Sequence, residues 1–270
     1  MRAVGIILAG GNNNRMKELT HKRAVAAMPI AGSYRSIDFA LSNMTNSHIQ
    51  KVAVLTQYNA RSLNEHLNSS KWWNFGRKQG GLYVFTPTIT NDNGYWYRGT
   101  ADAIYQNMDF LKKSHEPYVV IASGDAVYKM DYSKVLQYHI DKKADVTVVC
   151  KEMDPSDDVS RFGTIRMDDD MRITEFEEKP MVTKSNMIST GIYVIRRRLL
   201  IDLIEHAAEE ERFDFVNDVL IRYKNLKKIY GYKIDHYWSN IATVDAYYKT
   251  NMDFLKPEVR NYFFKQDPEI

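Results

Sequence analysis

At 270 residues, with 44% apolar and 26% charged side chains, the chain has the make-up of a soluble globular protein able to bury a sizeable core. Its formal charge of +3 is spread along the sequence and nearly balanced by acids, which excludes a charge-built nucleic-acid surface and leaves small anions compatible. The single cysteine excludes an internal disulfide, and the N-terminal apolar run is too short to span a membrane and has no cleavage pattern behind it, so a cytoplasmic setting is expected.

The first predicted element is a strand, Ala3–Ala9, which runs into Gly10-Gly11 and then three asparagines and Arg15. Glycines at a strand end present bare backbone N–H groups, which is how a loop cradles nucleotide phosphates. The spacing here is not the G-x-G-x-x-G of dinucleotide-binding proteins, and that class is set aside. A second strand is predicted over Lys51–Thr56. A helix follows over 100–113, with Ile104, Met108 and Leu111 on one face and Thr100 as N-cap. The strand 118–122 leads to Gly124-Asp125, at the carboxyl edge where open α/β sheets bind ligands. A helix over 131–142 carries the stripe Val135, Leu136, His139 and Ile140, and the run 145–150 is a strand in which Cys150 reads as a buried structural thiol.

Beyond this point the rhythm changes. Gly163–Met167, 172–178 and 191–195 read as short strands separated by turns, a strand-rich part suited to holding a second ligand group. The stretch 256–270, with two prolines and scattered aromatics, reads as a linker that packs on something or leads to something. The alternation of β-branched runs with helix-period segments makes the fold class α/β, with a mostly parallel central sheet flanked by helices. Trp72, Trp73 and Phe75 are expected at the surface, as part of an interface or a lid.

Three further segments carry usable chemistry. Glu178-Lys179-Pro180 closes an alternating strand and places a lysine where a phosphate would sit, although the same residues suit a surface turn. Trp96-Tyr97-Arg98-Gly99-Thr100-Ala101-Asp102 puts a glycine at a helix N-terminus, where donors and dipole favour an anion or a base edge, beside aromatics that could stack or simply fill a core. Gly124-Asp125 offers a carboxylate for a cation.

Taken in order, Ala9-Gly10-Gly11, the run 34–43 (Tyr-Arg-Ser-Ile-Asp-Phe-Ala-Leu-Ser-Asn), Thr56-Gln57-Tyr58, the segment 96–102, Gly124-Asp125, Glu178-Lys179-Pro180, Ser189-Thr190-Gly191-Ile192-Tyr193 and Tyr237-Trp238 resemble the ADP-glucose pyrophosphorylase (glucose-1-phosphate adenylyltransferase) family of bacterial glycogen synthesis. The resemblance runs to about residue 255. It implies a Rossmann-like nucleotidyltransferase domain over 1–255, with 256–270 a linker toward a left-handed β-helix domain absent from this chain. It also implies that the loop of Gly10 and Gly11 holds ATP phosphates, that Arg15 stabilises the transferring phosphoryl charge, that Gln57 and Gly99 recognise the adenine, that Tyr97 and Gly124 are among the substrate-binding residues, and that Asp125 binds Mg²⁺. Glu178, Lys179 and Ser189 match the positions that hold glucose 1-phosphate.

The departures from the family pattern fall on charge. Asn13 and Asn14 replace a glycine and a threonine of the loop, and Ala126 replaces a histidine. In Arg23-Ala24-Val25-Ala26-Ala27, Val25 stands where the family has a phosphate-binding lysine. In Trp238-Ser239-Asn240-Ile241-Ala242-Thr243, Asn240 stands where the family has its second Mg²⁺ carboxylate. Losing one preorganised charge-stabilising group costs on the order of 10²- to 10³-fold in rate. The pattern resembles the regulatory, D-type subunit of the family, which implies a hetero-oligomer with a catalytic ADP-glucose pyrophosphorylase subunit, with no nucleic-acid or membrane partner. Mg²⁺ is then needed only if some catalysis remains. The alternative is an active adenylyltransferase that makes ADP-glucose and pyrophosphate from ATP and glucose 1-phosphate, with Asn12 or Lys17 rescuing the site.

Overall fold

The computed structural model describes residues 2–11, 14–68, 70–75, 80–89, 94 and 96–265. The elements in chain order are β1 (Ala3–Ala9), β2 (Pro29–Ile30), β3 (Tyr34–Arg35), α1 (Ser36–Asn46), β4 (Lys51–Thr56), α2 (Arg61–Leu67), β5 (Gly81–Phe85), α3 (Thr100–Gln106), α4 (Met108–Lys112), β6 (Tyr118–Ser123), β7 (Ala126–Tyr128), α5 (Tyr132–Asp141), β8 (Val146–Glu152), β9 (Gly163–Met167), β10 (Ile173–Glu178), β11 (Met187–Arg196), α6 (Arg197–Glu209), β12 (Ile229–Ile234), β13 (Trp238–Asn240), α7 (Val244–Asp253) and α8 (Pro257–Phe264). They form two compact units. One comprises Met1–Val4, Pro87–Ile121 and Ser133–Asp235, and the other Gly5–Thr86, Ala122–Tyr132 and His236–Ile270.

The unit that begins at Gly5 is built on β1, β4 and β5, which pair in parallel with Ala9 opposite Thr56 and Leu55 opposite Phe85. The β-branched and small residues of β1 and β4 are buried on both faces, as strands of a covered parallel sheet must be, while β5 is only partly covered. A second core lies beside them, where Met16, Val25, Met28, Ile30, Phe39, Val127, Ile241 and Phe254 cluster. Helix α8 closes it. Val259 and Phe263 pack on the cluster, and Phe263 meets Phe39 edge-on at 5.3 Å. The stretch expected to be a linker therefore carries a docked helix, started by a proline at its first turn.

In the other unit β6, β8 and β9 each run antiparallel to β11, and β12 runs parallel to β8, so β6, β8, β9 and β12 point one way and β11 and β10 the other. The molecule is an α/β protein with a mostly parallel central sheet flanked by helices. The run Val146-Thr147-Val148-Val149-Cys150 is buried throughout, and burial pushes the Cys150 thiol up to about 12, an inert structural group. Helix α6 covers the sheet with Leu200, Leu203, Ile204 and Ala207, spaced for one helical face.

Several expectations change. The helix predicted over 100–113 is two helices, because the Asn107 side chain donates to the Ala103 carbonyl at 2.8 Å and its backbone leaves the helical region. Thr100 is the first residue of α3 and Gly99 its cap; the Thr100 hydroxyl accepts from the Phe215 N–H instead. The strand predicted over 191–195 is the longer β11, interrupted by a bulge between Ser189 and Ile192 where Gly191 takes φ 76°. Of the aromatics expected at the surface, only Trp72 is there; Trp73 and Phe75 are buried.

Candidate functional site

In the unit beginning at Gly5, β1 delivers Gly10 against the residue that follows β4. A Cβ on Gly10 would lie 3.4 Å from Gln57 Cβ and 3.5 Å from Gln57 N, ordinary contact distances that place the loop alongside Gln57. At Gly11 a Cβ would meet nothing within 4 Å. Asn12 and Asn13 lie outside the described residues. Arg15 is exposed on the turn Asn14–Thr20, which Met16 anchors in the core cluster, and Lys17 on that turn has φ 48°. Val25 is only 8% exposed and belongs to the same apolar cluster as Met16 and Ile241. The position is a piece of core, not an open subsite with a missing head group.

Gly124 has no room for a side chain: a Cβ would meet Ala26 at 3.2 Å, Ala9 at 3.3 Å and Ile7 at 3.4 Å. The Gly124 N–H donates to the Leu8 carbonyl at 3.0 Å, and its own carbonyl accepts from the Ser36 hydroxyl at 2.9 Å. Next in the chain, the Asp125 carboxylate accepts from the Ser123 hydroxyl at 2.5 Å, while the Asp125 carbonyl accepts from the Ile241 N–H at 2.9 Å. Because β13 pairs with β7, Asn240 opposite Ala126, the structure brings Asp125 and Asn240 to one end of the same ribbon. The Asn240 amide oxygen accepts from the Ala242 N–H at 3.1 Å, a local turn that Asn and Asp both favour.

The other unit holds a second polar cluster. Arg98 folds back on Asp102, with its backbone N–H at 2.9 Å, Nη2 at 3.0 Å and Nε at 3.3 Å from the carboxylate, which is 1% exposed and also receives Gln106. The guanidinium lies 3.8 Å from the centre of the Phe213 ring. The Phe213 carbonyl accepts from the Ala101 N–H at 2.8 Å and the Asp102 N–H at 3.3 Å, and a Cβ on Gly99 would stand 2.3 Å from that oxygen. Glycine is there for a close backbone approach, and these two helix N-terminal donors, expected to face an anion, already serve a carbonyl. Tyr97 lies beside this knot, its hydroxyl accepting from Asn107 at 2.9 Å and its phenol raised by burial.

Phe213 leads into Asp214, and Asp214 faces Glu178 and Tyr193 electrostatically. Burial raises the Glu178 carboxyl above its ordinary range; Lys179, 3.1 Å away, pulls it back, and the Asp214 charge pushes it up. Lys179 has a left-handed backbone, φ 46°, that turns the chain after β10 and leaves its ammonium exposed. The bulge in β11 aims the Ser189 hydroxyl at the Tyr193 hydroxyl, 3.1 Å apart. Burial raises the Tyr193 phenol, with the Glu178 and Asp214 charges adding to the effect, and its ring meets Phe215 edge-on at 5.4 Å. Carboxylates, hydroxyls and an ammonium in one place suit a ligand with several hydroxyls and a phosphate.

A nucleotidyl transferase family model matches residues 4–257. The chain is 42% identical over 255 residues to the glucose-1-phosphate adenylyltransferase of Clostridium novyi, covering 93% of this chain and 66% of that protein. It is 40% identical over 256 residues to that of Thermosipho melanesiensis (94% and 62%), and 42% identical over 260 residues to that of Bacillus thuringiensis (95% and 69%). The chain belongs to the glucose-1-phosphate adenylyltransferase, or ADP-glucose pyrophosphorylase, family. It spans about two thirds of the length of these relatives.

Family membership gives the two clusters a common frame. One unit gathers Gly10, Gly11, Gln57, Gly124, Asp125 and Asn240, and the other Tyr97, Gly99, Glu178, Lys179 and Ser189. Sequence reasoning missed Tyr193 and Asp214 as site residues. Tyr193 stands in the same matched stretch as Ser189, so its signal was present; Asp214 follows no strand and no glycine, and only the tertiary fold brings its charge to Glu178. For the Mg²⁺ that the family implies, no three His, Cys, Asp or Glu side chains group together among the described residues. The donors at the ribbon end are one carboxylate and one amide oxygen already turned to Ala242. That set fits a single divalent ion held by Asp125 and completed by phosphate oxygens and water, not an ion the protein encloses. No helix among the described residues is long and apolar enough to cross a membrane.

Proposed function

We propose that this chain is a cytoplasmic ADP-glucose pyrophosphorylase-type subunit of glycogen synthesis, deficient in catalysis alone, that regulates a catalytic partner subunit in a mixed oligomer as the D-type subunits do. The observation that carries the reading is Asn240, a neutral amide folded onto the Ala242 N–H beside Asp125. A hard dication there has one anionic protein ligand, and a loss of this kind costs on the order of 10²- to 10³-fold in rate. Val25 supports the same reading, since an apolar core residue offers a phosphate nothing. Glu178, Lys179 and Ser189, joined by Tyr193 and Asp214, are assigned to glucose 1-phosphate or the glucose end of ADP-glucose. Gly10, Gly11, Gln57, Tyr97 and Gly99 are assigned to the nucleotide, and Gly124-Asp125 to a weakly held Mg²⁺.

A second reading, an active adenylyltransferase, draws on Asp125, which is held by Ser123 and by the β7–β13 ribbon, and on Arg15, which remains exposed. In that case the glucose 1-phosphate oxygen attacks the α-phosphate of ATP, pyrophosphate leaves, Arg15 offsets its charge, and Lys179 fixes the sugar phosphate. Bound Mg²⁺ would neutralise phosphate charge. ADP-glucose synthesis by the chain, alone and mixed with a catalytic subunit, separates the readings. Negligible activity alone with a changed rate or effector response in the mixture is expected. Turnover by the chain alone at the rate of an ordinary catalytic subunit overturns the first reading.

A further inference from the structure

The matched run 34–43 contains polar residues that the site does not use directly, and the structure buries them. Ser36 is 0% exposed, Asn43 4% and Ser47, just past the end of α1, 5%. Each is spent on the backbone of the segment that carries Asp125. Ser36 donates to the Gly124 carbonyl at 2.9 Å; Asn43 donates to the Tyr128 carbonyl and accepts from the Met130 N–H, both at 3.1 Å; Ser47 accepts from the Tyr132 N–H at 2.7 Å. Helix α1 thus holds residues 124–132 at three points.

The first point differs from the others in what it controls. The Gly124 carbonyl and the Asp125 N–H are two ends of one planar peptide, so the Ser36 hydroxyl fixes the orientation of the plane from which Asp125 projects. On the other side the Gly124 N–H is tied to Leu8, the residue before Ala9-Gly10. The surroundings are also close: a Cβ added at Gly124 would stand 3.3 Å from Ala9 and 3.2 Å from Ala26. We infer that Ser36 is a positioning residue for Asp125: it sets the carboxylate on which divalent-cation binding depends, and in this chain no second carboxylate compensates if it moves. The inference rests on the reading of Asp125 as the metal carboxylate.

Outer partners of a metal ligand typically change metal affinity about 10- to 100-fold when removed. The test uses Mn²⁺ as the probe, its binding to the full chain followed by electron paramagnetic resonance in the presence of ATP, and glucose 1-phosphate binding without metal followed by calorimetry. Ser36→Ala should weaken Mn²⁺ about 10-fold or more and leave metal-free glucose 1-phosphate binding within about twofold. Ser47→Ala removes an equally buried tie on the same segment and is the control: it should lower the melting temperature and leave Mn²⁺ affinity unchanged. Asp125→Asn separates the two claims. If Asp125→Asn abolishes Mn²⁺ binding and Ser36→Ala does not weaken it, or if Ser47→Ala weakens it as much as Ser36→Ala, the inference is wrong. If Mn²⁺ with ATP fails to bind, or binds despite Asp125→Asn, the reading of Asp125 is wrong and the inference falls with it.

Discussion

The two polar clusters of this molecule have been treated differently. Around Glu178 the carboxylates, hydroxyls and lysine are all present, and the fold accepts a cost to keep them: a buried carboxyl held above its ordinary range, a left-handed lysine and a bulged strand. Around Asp125 the backbone scaffold is just as tightly built, with Gly124 bound on both sides, and the neighbouring positions hold an amide, Asn240, and an apolar core residue, Val25.

The sharpest way to break this contrast is to restore the charges. Val25→Lys should destabilise the fold by about 3 kcal/mol, since an ammonium placed among Met16, Phe39 and Ile241 has no partner there; Val25→Met, measured alongside by thermal or urea unfolding, should cost less than about 1.5 kcal/mol. An unchanged stability for the lysine variant would show that position 25 is an open subsite after all. Next in size, Lys179→Ala should weaken glucose 1-phosphate about 10- to 100-fold in calorimetry, with only a small loss in unfolding because the ammonium it removes from Glu178 is exposed. A smaller effect is expected at Gly99. Gly99→Ala drives a Cβ into the Phe213 carbonyl, a contact with backbone that cannot swing aside, and should cost about 1–3 kcal/mol in unfolding.

The smallest effect concerns pH. Because burial raises the Glu178 carboxyl, its charged form is disfavoured in the folded state. Its contribution to stability is greatest below the unfolded carboxylate pKa, where it is neutral in both states, and declines as pH rises through the raised folded value. Glu178→Gln should therefore be slightly stabilising at neutral pH while weakening sugar-phosphate binding, and the wild-type affinity should begin to fall on acidification at a higher pH than an ordinary glutamate would give. A destabilised Gln variant would mean the charge is compensated by partners other than Lys179.

Much of this contrast was legible in the sequence, for a physical reason. Strands such as Ala3–Ala9 and Lys51–Thr56 are long apolar runs ended by glycine or by Gln57, and a motif at a strand end inherits its place from the strand. Positions 25 and 240 stood out as neutral residues where the family resemblance implies charge. What stayed hidden depended on tertiary contact. Nothing local says that Phe213 will occupy the N–H groups of α3, that Asp214 will charge Glu178, or that Ser36 will end on the Gly124 carbonyl. The burial of Val25 was hidden for the same reason, and it alters the expectation for a lysine there, because the position is part of the core.

The central claim is that the sugar-phosphate half binds without the metal half. It is tested most directly by titrating glucose 1-phosphate into the purified chain by calorimetry, once with excess chelator and once with Mg²⁺. The account predicts binding of similar affinity in both, weakened about 10- to 100-fold by Lys179→Ala and untouched by Asp125→Asn. Binding that appears only with Mg²⁺, or that is lost with Asp125, would contradict it and restore a working metal centre to this chain.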